Sequence, residues 1–88
     1  MSGAMEMYKN RGPDGRCNLC GVRISELRKA RTPKLSQRGL AGLLQLRGID
    51  VDKNAVQRIE SGQRFVTDIE LKALAQVLCV SPEELLGE

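Results

Sequence analysis

Polar residues able to cap a helix stand immediately before apolar-periodic runs at Ser36, Asp52, Thr67 and Ser81, and this punctuation constrains the fold more than any other feature. An N-cap oxygen accepts a bond from a backbone N–H that the first turn of a helix leaves unpaired, so each position marks a place where a helix can begin. Thr67-Asp68-Ile69-Glu70 has the spacing of a capping box, and Ser81-Pro82-Glu83-Glu84 repeats it with Pro82 at the first helical position, where its missing N–H costs nothing. Between these signals the apolar residues recur at helical spacing. Leu40, Leu43, Leu44 and Leu46 run up to Gly48, Val56 and Ile59 lie within Lys53 to Ser61 before Gly62, and Ile69, Leu71, Leu74, Ala75 and Leu78 follow Thr67. A further run from about Asn18, with Ile24 and Leu27 one turn apart, stops at Thr32-Pro33. Five helices are predicted, the last through Leu85 and Leu86, and no strand, since Ile49 and Val51 alternate only briefly.

Tyr8 and Phe65 are the only aromatic residues and tryptophan is absent, so any core must be aliphatic. With 88 residues the chain supports one such core and not two. The expected fold class is all-α: a five-helix bundle with Ile24, Leu27, Leu40, Leu44, Val56, Ile59, Leu71, Leu74, Leu78 and Leu85 inside. Residues 1–17, with Gly3, Gly12, Pro13 and Gly15 and no apolar period, read as a flexible arm preceding a domain of residues 18–88.

Charge is distributed unevenly. Residues 1–38 hold nine Lys/Arg against three acids, a net of +6, whereas residues 67–88 hold one against five, a net of −4. A basic end suits a polyanion, because the field depends on where charges sit rather than on their sum; a merely solvated basic face has the same composition. No apolar run is long enough to span a bilayer and no signal peptide is visible, so no membrane association and a cytoplasmic location are expected. Three cysteines are an odd number for a disulfide framework. Cys17-Asn18-Leu19-Cys20-Gly21 has half the ligands of a structural zinc knuckle, but histidine is absent and Cys79 is far along the chain, so no metal, other cofactor or small-molecule ligand is expected. Without histidine, and with acids mostly at helix caps, nothing resembles a general base or an activated nucleophile, and no enzyme is expected.

The third helix is short, its apolar stripe is thin, and Lys53, Asn54, Gln57 and Arg58 place hydrogen-bonding side chains off that stripe. Lys and Arg can donate to guanine edges, and Asn or Gln can pair with adenine. An ordinary amphipathic helix with a solvated face carries the same residues.

The order of motifs from Gly21 to Leu86 separates these readings. Ile24-x-x-Leu27-Arg28 is followed by Leu35-Ser36-Gln37-x-x-Leu40-Ala41, then Val56-x-x-Ile59-Glu60-x-Gly62-x-Arg64. Leu71-x-x-Leu74-Ala75-x-x-Leu78-x-Val80-Ser81-x-x-x-Leu85-Leu86 completes the series. This stretch resembles the helix-turn-helix family of the phage lambda-type repressors and Cro, the XRE family. The resemblance implies a sequence-specific binder of double-stranded DNA that acts as a transcriptional regulator, in the first place a repressor, and docks as a homodimer with its third helix in the major groove. Carried over by position, Lys53, Asn54, Gln57 and Arg58 face base edges, Ser36, Gln37 and Arg64 lie at phosphates, and Arg28 and Glu60 form a structural ion pair.

The chain departs from the pattern in the six residues 47–52 between the second and third helices, where a turn of about 3 to 4 is usual. Ile49 and Val51 are expected to tuck inward and order this connection. Two other classes stay open at this point: a protein-interaction module, antitoxin-like, that uses the same bundle, and a zinc-dependent module built on Cys17 and Cys20.

Overall fold

The computed structural model describes residues 14–87. They form five helices: α1 Gly21–Ala30, α2 Gln37–Leu46, α3 Lys53–Glu60, α4 Asp68–Leu78 and α5 Pro82–Leu86, with no strand among the described residues. The caps set the starts. Ser36 accepts from the Gly39 N–H, Asp52 from Ala55, Thr67 from Glu70 and Ser81 from Glu84, and the Glu70 side chain returns a bond to Thr67 to complete the capping box. The capping residue is also the entry point of each connection, so one sequence signal fixes both the helix start and the direction from which the chain arrives.

The core is aliphatic throughout. Ile24 from α1, Leu40 and Leu44 from α2, Val56 and Ile59 from α3, Leu74 and Leu78 from α4, and Leu85 from α5 are all buried. Leu27 and Leu71 only border this cluster, while Cys20, Ala41, Val51, Ala55, Ala73, Ala75 and Val77 complete it.

Two expectations change. The first helix begins at Gly21, not near Asn18, because the Asn18 Oδ1 accepts the Gly21 N–H and turns the chain into the helix. Arg16 and Cys17, read with the arm, are tied to the domain: Cys17 N–H donates to the Gly62 carbonyl at 2.8 Å and Arg16 to the Glu60 carbonyl at 2.7 Å. Composition alone concealed these bonds, because their acceptors lie more than forty residues away. The rest of the arm, residues 1–13, lies outside the described residues.

The long connection after α2 is fully ordered. Gly48 takes a positive φ of 79° to leave the helix, Ile49 N–H donates back to Leu44, and Val51 is buried. Gln45 Nε2 holds the Val51 carbonyl at 2.8 Å, which ties the end of α2 to the approach to α3.

Candidate nucleic-acid interface

The two turns of α3 bury one stripe, Ala55, Val56 and Ile59. Lys53, Asn54, Gln57 and Arg58 fall on the remaining arc, and all four are exposed. Asp52 satisfies the first turn without occupying that face, since its Oδ1 is turned to the Ala55 N–H. Among the described residues the ion pairs are those of Arg23, Arg28 and Arg64, which leaves Lys53 and Arg58 with their charge uncompensated.

The start of α2 lies beside the start of α3. Ser36, Gln37, Arg38 and Lys53 line one open concavity with Arg28 and Lys29, and Arg38 and Lys53 share a second one with Gly42 and Gln45. Ser36 caps only the Gly39 N–H, so the N–H groups of Gln37 and Arg38 have no partner within the helix. With the positive end of the helix dipole and the Lys29, Arg38 and Lys53 cations nearby, the arrangement is chemically suited to an anion. Arg38, exposed at the rim of both concavities, was not singled out from the sequence; only its place one residue after Gln37 could have pointed to it.

Arg28 and Glu60 form the rigid centre behind this face. Arg28 Nε donates to Glu60 Oε2 at 2.7 Å and Nη2 to Oε1 at 2.9 Å, and Nη1 holds the Leu35 carbonyl at 3.0 Å. Burial opposes ionisation of Glu60, yet the bonds from Arg28 and Gln37 outweigh it and hold the carboxyl below the usual glutamate range. Gln37 Nε2 donates to Glu60 Oε1 at 3.0 Å, which leaves the second amide hydrogen and the amide oxygen for another partner. One carboxylate thereby joins α1, α2 and α3.

Arg64 is placed differently from an open phosphate ligand. Its Nη1 and Nη2 close on the two Glu70 oxygens, both at 3.0 Å, and Nη1 also meets the Phe65 carbonyl. This fork ties the loop after α3 to the capping box of α4, and it lowers the Glu70 pKa.

The cysteines do not gather into a site. Cys20 is buried in the core, and burial pushes its thiol pKa up, the opposite of what a thiolate ligand or nucleophile needs. Cys79 is exposed at the far end of α4, where it takes a left-handed φ of 61° and closes the helix.

An all-helical bundle with α2 and α3 joined by an ordered connection, and with a polar outer arc on α3, is a helix-turn-helix architecture. The family described as helix-turn-helix domain matches residues 20–86, and the chain belongs to it. No curated protein and no solved structure gives a significant match. Helix-turn-helix domains are DNA-binding modules whose second helix of the pair enters the major groove, so DNA is the partner class this membership supports. No helix among the described residues is long and apolar enough to cross a membrane.

Proposed function

We propose that this protein is a sequence-specific regulator of transcription, acting as a repressor by occupying its DNA site. Lys53, Asn54, Gln57 and Arg58 would read base edges from α3, while Ser36, Gln37 and Arg38 hold a phosphate at the start of α2. The single observation that carries the reading is the pairing of four exposed hydrogen-bonding side chains on α3 with an open helix start flanked by uncompensated cations. Arg64, a phosphate ligand by resemblance, is better assigned to bracing the loop after α3, because Glu70 already takes both of its terminal nitrogens. On this reading two copies bind a two-fold site, with their α3 helices one DNA turn, about 34 Å, apart.

Selection of duplexes from a random pool tests the proposal. A recovered motif with two related halves, bound with an affinity that falls steeply as salt rises, is the expected result. Failure to enrich any sequence, or binding indifferent to salt, would overturn it in favour of a bundle that serves a protein partner.

A further inference from the structure

The last four carbonyls of α3 are all satisfied, but only that of Gln57 by backbone alone. Ser61 N–H donates to Gln57; Gln63 N–H and the Ser61 hydroxyl donate to Arg58; the Ile59 carbonyl receives Gly62 N–H together with Asn18 Nδ2 at 3.0 Å, and the Glu60 carbonyl receives Arg16 Nη2 at 2.7 Å. Asn18 Nδ2 also reaches the Arg64 carbonyl at 2.7 Å, its Oδ1 accepts the Gly21 N–H at 2.8 Å, and Cys17 N–H binds the Gly62 carbonyl. A segment upstream of the matched residues 20–86 therefore caps the helix proposed to read DNA.

We propose that Arg16 and Asn18 are positioning residues that fix the C-terminal turn of α3 and thereby set the accuracy of base reading. The second half of that statement rests on the DNA-binding function proposed above. An eight-residue helix has little backbone to hold its own axis, and its end lies one turn from Gln57 and Arg58. Arg16 adds a cation at the negative end of the helix dipole and arches over Gly62, whose φ is 82° and where a Cβ would meet the guanidinium at 2.7 Å. Asn18 has no substitute of equal reach: one amide bridges two carbonyls while its oxygen starts α1. A contact to an unread side chain would change stability alone, whereas a tilt of α3 misaligns paired hydrogen bonds to bases and leaves phosphate contacts from α2 intact.

The test uses the full chain with Asn18→Ser, Arg16→Ala and Arg16→Lys, well below each melting temperature. Asn18→Ser stays neutral and keeps an oxygen for Gly21, but it cannot bridge Ile59 and Arg64. Hydrogen exchange at the Gly62 and Gln63 amides is read first, then binding to the selected duplex and to a scrambled one at the same salt. Asn18→Ser and Arg16→Ala are expected to speed exchange there by about tenfold and to cut the selected-to-scrambled ratio by about tenfold, the discrimination of one paired base contact. Arg16→Lys, which can still donate to the Glu60 carbonyl, recovers part of both. Native protection at Gly62 and Gln63 in the variants overturns the strap itself. A ratio unchanged beside faster exchange overturns its role in reading. If the wild-type chain prefers no duplex, the DNA-binding function and the reading role both fall, while exchange still decides whether Arg16 and Asn18 hold α3.

Discussion

Arg28 grips both oxygens of Glu60 through Nε and Nη2, with two charge-assisted bonds of 2.7 and 2.9 Å, and both side chains are about nine-tenths sequestered from solvent, at 11% and 8% exposed. Removing one member of such a pair leaves the other charged and desolvated, which costs several times what an exposed pair contributes. Glu60→Ala strands Arg28 and also releases Gln37. The expected loss is roughly 3 kcal/mol, read as a fall in the denaturant midpoint. Arg28→Lys keeps the charge but not the paired geometry and should lose less. An unchanged midpoint for Glu60→Ala would refute a structural role for the pair.

Acid should unfold the protein through the same carboxylates. Glu60, despite its burial, and Glu70, held first by its bonds from Arg64, both titrate below the ordinary glutamate value in the folded chain. Folding therefore favours their ionised forms. The stability they contribute is complete above the unfolded glutamate pKa of about 4.3 and is lost as pH falls through the lower folded values. A melting temperature that is level above about pH 5 and drops steeply below about pH 4 is expected. Glu60→Gln with Glu70→Gln should start lower and show a shallower acid drop; an equally steep drop would assign it to other groups.

How much of this was legible in the sequence depends on range. Caps at Ser36, Asp52, Thr67 and Ser81 act within one turn, and their residues name the helix starts directly. The outward arc of Lys53, Asn54, Gln57 and Arg58 follows from helical spacing alone. The Arg28 and Glu60 partnership came only through family resemblance, since no local pattern joins residues thirty-two apart. Sequence pattern places Arg16 in the arm and Asn18 at a helix start, because their acceptors are backbone carbonyls, which no side-chain pattern can reveal. Arg64 was assigned by position in the family, while Glu70, itself recognisable as a cap, claims its guanidinium.

Two glycines should respond in opposite directions to alanine. A Cβ on Gly21 would lie 2.2 Å from the Ile59 carbonyl oxygen, a backbone atom that cannot turn aside. Gly21→Ala should destabilise by roughly 1 to 3 kcal/mol, as overpacking does. Gly42, inside α2, has nothing within 4 Å of that position, so Gly42→Ala should gain up to about 1 kcal/mol through helix propensity. Thermal unfolding of both variants decides the matter, and similar shifts in the two would contradict this account of α1 against α3.

The groove and backbone contacts of the proposed interface differ in what their loss should do. Asn54 and Arg58 are exposed on the arc of α3, where paired hydrogen bonds to purine edges each carry roughly 1 to 3 kcal/mol of discrimination. Asn54→Ala or Arg58→Ala should therefore weaken the selected duplex more than a scrambled one. Gln37 and Arg38 line the concavity at the start of α2; on the proposed reading they would face phosphates, which are the same at every step, so their loss should weaken both duplexes by a similar factor. Only Arg38 is charged, and Arg38→Ala should flatten the plot of log affinity against log salt by about one phosphate's worth of slope, while Gln37→Ala leaves it level with the wild type. Arg64→Ala separates the two assignments of that residue. With its fork closed on Glu70, its removal should lower the melting temperature and leave the salt slope close to that of the wild type. A slope flattened as much as by Arg38→Ala would return Arg64 to the phosphate backbone. Equal losses on both duplexes for Arg58→Ala would move base reading to Lys53 and Gln57.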